Sequence, residues 1–159
     1  MDEHPVSTAQ IDAMMRASRV LLSVIAKSLA EVDNIVTPSQ LRVLVMIASR
    51  GPQTLTAVAE DLGVHPSNAT RLCDRLVAAK LMRRDNNPQD RRFLQLRLTE
   101  QGLDLVSTVM VRRRAALAAV LSRMTPDERH YLEQVMSSFA LAAGEDPAEA
   151  MPAALGIAP

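Results

Sequence analysis

Three residues, Gly63, Val64 and His65, separate two amphipathic stretches, and no other feature constrains the fold as tightly. Upstream, Thr54 can cap a short helix that buries Leu55, Val58, Ala59 and Leu62. Gly63 fits the left-handed residue that ends such a helix. Pro66 suits the first position of the next one. That second helix would bury Ala69, Leu72, Cys73, Leu76 and Val77. A three-residue turn containing glycine forces the two helices to cross steeply, which makes a helix-turn-helix. The outer face of the second helix shows Ser67, Asn68, Thr70, Arg71 and Arg75, and a B-DNA major groove is about wide enough to accept one helix.

The flanking sequence adds helices on both sides and one hairpin. The first helix starts near Ser7, with Gln10 three residues on as a capping box. Its stripe is Ile11, Met14, Met15, Leu21, Leu22, Ile25 and Leu29. The run "TPSQLRVLVMIAS" has Thr37 as cap, Pro38 at the first helical position and Gln40 closing the box, with Leu41, Leu44, Val45 and Ala48 as its buried stripe. After the helix-turn-helix, Asp85 to Asp90 is rich in turn formers. From Arg92 the pattern alternates. Leu94, Leu96 and Leu98 face one way and should fasten to the body, while Phe93, Gln95 and Arg97 face the other. With "LMRRD" before it, this segment is a β-hairpin. Thr99 caps a long helix to about Met124. "TPDE" at Thr125 starts a last one, with Leu132, Val135, Met136 and Phe139 apolar and Gly144 as its stop. The expected fold is mostly α with a small β-hairpin wing. A single domain spans residues 1–143. Its helix-turn-helix lobe runs from about 37 to 99, its outer helices cover about 8–30 and 100–143, and residues 144–159 form a flexible tail.

Composition narrows the function. Hydrophobic residues make up 48% and aromatics 2%, so the core is aliphatic and suits close helix packing. Formal net charge is zero over the 159 residues, yet Pro38 to Thr99 carries ten Lys/Arg against five Asp/Glu. A basic middle between acidic arms is the asymmetry of a polyanion binder. Cys73 is the one cysteine, which excludes an intrachain disulfide. His4, His65 and His130 lie in separate segments without ligand spacing, so neither a metal nor a cofactor is expected. No glycine-rich phosphate loop or nucleophile–histidine pairing occurs, and an enzyme is not expected. No apolar run approaches the ~18 residues of a membrane helix, and the acidic start "MDEHPVST" lacks signal-peptide character. A cytoplasmic protein without membrane contact is the expectation.

A helix-turn-helix followed by a basic hairpin is a winged helix-turn-helix, and here the sequence resembles the MarR family of bacterial transcription regulators. That family's wing signature is D-x-R, five residues, then Leu-Thr. Asp90, Arg92, Leu98 and Thr99 hold that spacing, with Gly102 following. "NATRLCDRL" looks like the family's recognition helix and "TPSQLRVLVMIA" like its lead-in helix, so the resemblance covers roughly residues 8 to 143. Two departures stand out. Lys80 occupies a position that is usually glycine, and an adjusted turn is expected there. His65 sits where Ser, Thr or Asp would cap better, and it could face a phosphate.

Roles follow from placement. Ser67, Asn68, Thr70 and Arg71 would reach base edges, and Arg75 a phosphate. Thr54 and Thr56 could offer groups to the DNA backbone. Arg91 and Arg92 at the hairpin tip would enter or flank the minor groove, with Asp90 holding the wing in shape. The run Arg112 to Arg114 reads as a solvated helix face. The resemblance implies a homodimeric repressor on a pseudo-palindromic double-stranded operator, with recognition helices ~34 Å apart. It also implies a small organic or phenolic effector bound near the first helix, the Leu41–Ala48 helix and the start of the Leu103 helix. Two alternatives stay open. One is a winged helix used only for protein contact. The other is redox response through Cys73, although its spacing puts Cys73 on the buried face.

Overall fold

The computed structural model describes residues 5–30, 32, 34–86 and 94–144. Its elements run α1 (Thr8–Leu29), α2 (Pro38–Arg50), α3 (Leu55–Leu62), α4 (Pro66–Ala78), β1 (Met82–Asn86), β2 (Leu94–Leu98), α5 (Glu100–Leu121) and α6 (Pro126–Ala142). Local chemistry sets most of the boundaries. Ser7, Thr37 and Thr125 each close a capping box with Gln10, Gln40 and Glu128, and Thr54 and Thr99 cap through their hydroxyls. Gly63 ends α3 in the left-handed conformation at φ 65°.

α4 ends by the same chemistry without glycine. Lys80 takes φ 59°, so the left-handed turn is retained and the adjusted turn expected there does not occur. Leu81 N–H donates to the Leu76 carbonyl at 3.1 Å and Lys80 N–H to the Val77 carbonyl at 2.9 Å. This is the paired closure of a Schellman motif, with Leu81 and Leu76 both buried beside it. The turn is then clamped to the start of α5. Thr99 N–H donates to the Leu81 carbonyl at 3.1 Å, and the Thr99 hydroxyl donates to the Lys80 carbonyl at 2.6 Å. Gly102 permits that approach, because a Cβ there would overlap the Leu81 carbonyl.

β1 and β2 pair antiparallel from Met82↔Leu98 to Asn86↔Leu94. Asp85 and Asn86 are therefore strand residues, not part of the turn. Residues 87–93, which include the rest of the expected turn, lie outside the described residues. Gln53 adds a bridge to Leu96, with Leu96 N–H donating to the Gln53 carbonyl at 2.8 Å and the reverse bond at 3.1 Å. Leu96 is buried and Leu98 half-buried, but Leu94 is 54% exposed and does not fasten the hairpin. It sits at the far end of the ladder, beyond the reach of the body.

The core lies in the lobe. Val43, Leu44, Val58, Leu76, Met82 and Val106 are fully buried, and α2 alone contributes six buried residues. Burying one such aliphatic side chain contributes ~1.5–3 kcal/mol, set against the entropy of ordering the chain. The outer helices differ. α5 buries Leu105, Val106 and Val109 against the lobe and then emerges, closing at Leu121 with a turn through Met124. No residue of α6 is buried. On α1 the sequence stripe is largely outside: Ile11, Met15 and Leu22 are 53%, 56% and 63% exposed. The face α1 turns to α5 instead carries Val24 and Ser28.

Candidate nucleic-acid interface

The turn Gly63–His65 sets α4 across α3, and the buried residues of α4 are Ala69, Cys73 and Leu76. That leaves Ser67, Asn68, Arg71 and Arg75 on the exposed side, as their spacing predicts. Thr70 is half-buried, and its hydroxyl donates to the Pro66 carbonyl at 2.9 Å. Only its lone pairs stay available to an outside donor.

His65 proves to be the cap of α4. Its Nδ1 accepts from the Ser67 N–H at 3.3 Å and lies 2.9 Å from the Ser67 hydroxyl. An imidazole nitrogen thus replaces the usual Ser, Thr or Asp oxygen. Because Nδ1 is the acceptor, the neutral ring carries its hydrogen on Nε2, which remains a donor. Thr54 caps α3 by accepting from the Ala57 N–H at 3.2 Å, and Thr56 is exposed at the second residue of that helix. Asp90, Arg91 and Arg92 lie outside the described residues.

Ion pairing sorts the basic residues. Asp61 at the end of α3 binds Arg50 at 2.9 Å and Arg42 at 3.2 Å, latching α2 to α3. Asp85 faces Arg83 at 3.1 Å and Arg97 at 3.5 Å across the hairpin. Asp74 pairs with Arg84, bracing α4 against β1. Sequence reasoning missed all three clusters. The signal it had was charge content, and partner choice depends on tertiary geometry. The result is a sharper charge map. Five of the central arginines share three aspartates, while Arg71 and Arg75 have no carboxylate partner among the described residues. Asp74, next to Arg75 in sequence, is turned to Arg84 instead. The outward face of α4 therefore presents two cations without a carboxylate partner, where phosphates would lie beside a helix in the major groove.

Arg113 departs from the solvated face expected of the Arg112–Arg114 run. Its Nε donates to the Ser28 hydroxyl at 3.4 Å, and burial between α5 and α1 lowers its pKa. Cys73 is wholly buried in α4, and burial pushes its thiol up to about 11. The nearby Arg84 acts in the opposite direction but does not win. A thiol so placed is nearly all protonated at neutral pH, and the thiolate is the reactive form. Among the described residues no group of His, Cys, Asp and Glu could hold a metal, and no helix is long and apolar enough to cross a membrane.

Comparison with known proteins gives consistent results. The family model described as "MarR family" matches residues 36–93. The HTH-type transcriptional repressor MdtR of Bacillus subtilis is 34% identical over 116 residues, which cover 73% of this chain and 75% of that protein. Among solved structures, RV1404 of Mycobacterium tuberculosis is 39% identical with a TM-score of 0.78, covering 89% of this chain and 98% of that one. The YusO protein of Bacillus subtilis is 31% identical with a TM-score of 0.63, covering 86% and 99%.

Proposed function

The chain belongs to the MarR family of DNA-binding transcription regulators, and from that premise we propose that it is a cytoplasmic bacterial homodimeric repressor of a pseudo-palindromic operator, released by a small organic or phenolic effector. The observation that carries the DNA-binding half is the outward face of α4. Asn68 and Arg71 read base edges, with Ser67 and Thr70 beside them, and Arg75 takes a phosphate. His65, Thr54 and Thr56 serve the sugar–phosphate backbone at the starts of α4 and α3. Arg91 and Arg92 reach the minor groove from the wing, with Asp90 supporting it.

Two-fold assembly is supported by what the chain leaves uncovered. α6 buries nothing within the chain, and Tyr131, Val135 and Leu141 are 66%, 62% and 57% exposed. Ile11, Met15 and Leu22 of α1 are likewise exposed, so both outer helices carry apolar side chains that a partner could cover. In this reading residues 37–99 form the DNA lobe, and residues 8–30 and 100–143 interlock with a second copy. The effector lies where α1, α2 and the start of α5 converge, and by favouring one lobe spacing it weakens DNA binding. The flexible tail expected from residue 144 lies almost wholly outside the described residues.

The test is recovery of bound fragments from genomic DNA with wild type, Arg71→Ala and Arg92→Ala. Enrichment of a two-fold motif by wild type, lost in the variants, is the expected result. No enrichment, or enrichment unaffected by both substitutions, would sink the reading.

A further inference from the structure

Beside the reading face runs a groove of about 360 Å³ between the start of α2 and the outward side of α4. Arg71, Arg75 and Asn68 line one wall, and Thr37, Ser39 and Gln40 the other. The α2 wall is more selective than a bare helix start. Pro38 has no N–H. The Thr37 N–H is taken by the Gln40 side chain at 2.8 Å, and the Gln40 N–H by the Thr37 hydroxyl at 3.3 Å. Ser39 alone is left in that first turn with both a backbone N–H and a hydroxyl unused among the described residues, and it is exposed. Across the groove stand the two arginines that lack a carboxylate partner among the described residues.

We propose that Ser39 is a positioning residue for DNA binding. In this proposal a backbone phosphate flanking the major groove seats in the groove, held by Arg75 from α4 and by Ser39 from α2, beside Arg71, whose guanidinium stays on its base edge. It rests on α4 being the DNA-reading helix and extends the footprint to a residue outside the helix-turn-helix. Charge complementarity selects this occupant, since two cations and two neutral donors converge with no anion between them. The contact fixes how deeply α4 enters the groove without reading sequence.

Ser39→Asp separates contact from folding. A carboxylate in the first turn of α2 favours the helix dipole, so thermal stability should hold or rise. The same carboxylate should repel the phosphate and pair with Arg71 or Arg75. The probe is a fluorescein-labelled mixed-sequence 30-base-pair duplex titrated with full-length protein across a KCl series, because a phosphate contact does not depend on sequence. At low salt Ser39→Asp should lose about tenfold in affinity or more, and the salt slope should shrink by about one. Ser39→Ala should lose a few-fold, and Gln134→Glu, an equal charge change on α6, should change little. Arg75→Ala, which removes the phosphate contact of α4 itself, reports on the underlying reading. If it weakens binding while Ser39→Asp matches wild type, the Ser39 proposal is overturned and the α4 reading stands. If wild type shows no salt-dependent binding, both fall.

Discussion

Lys80 holds a left-handed backbone at a position where glycine would carry no steric cost. Lys80→Gly should therefore raise stability by about 0.5–1 kcal/mol, read as a higher urea midpoint at unchanged slope. A lower midpoint would mean that the lysine side chain contributes more than its backbone costs. Gly102→Ala should act the other way, losing about 1–3 kcal/mol as the α4–β1 turn is pushed off α5. Cys73 gives a pH signature. Its folded thiol titrates above its ordinary value of 9.0, so the fold favours the protonated form. That contribution is fully present below pH 9.0 and is lost as pH rises toward about 11. Cys73→Ser should flatten this alkaline loss, and an equal loss in the variant would assign it elsewhere. The native thiol should also react with a disulfide reagent far more slowly than the urea-unfolded chain.

At the scale of elements, the brace between Asp74 on α4 and Arg84 on β1 is solvent-exposed on both sides. Its coupling in a double-mutant cycle should stay within ~0.2–1 kcal/mol and shrink at high salt. A coupling above ~2 kcal/mol would show that the brace is a main support of the hairpin. What the sequence made legible divides along the same line. Helix starts were readable because capping is a contact over three residues, as at Thr37 with Gln40 and Thr125 with Glu128. The outward face of α4 was readable from its helical period. The pairing of Asp85 and Asn86 was not, because their turn propensity yields to partners ten and eight residues away, Gln95 and Leu94. Nor was the Gln53 bridge, or the choice of Asp61 by Arg42 and Arg50. His65 looked like a poor cap because propensity ranks oxygens, and it overlooks an imidazole that can turn Nδ1 inward.

At the scale of the molecule, the uncovered faces of α1 and α6 and the emerging end of α5 are the surface that a second copy would bury. Phe139→Glu and Val135→Glu should shift sedimentation from dimer to monomer and lower operator affinity sharply, because two linked lobes bind as one unit. Wild type sedimenting as a monomer at micromolar concentration would contradict the interlocked assembly. At this scale everything depends on α4 reading sequence through Arg71. The most direct measurement is the affinity of wild type and Arg71→Ala for the genomically selected duplex and for each of its single-base variants. Arg71→Ala should lose about 1–3 kcal/mol on the selected duplex, with discrimination erased at one base pair per half-site. Unchanged affinity, or a uniform loss that leaves discrimination intact at every base pair, would contradict it.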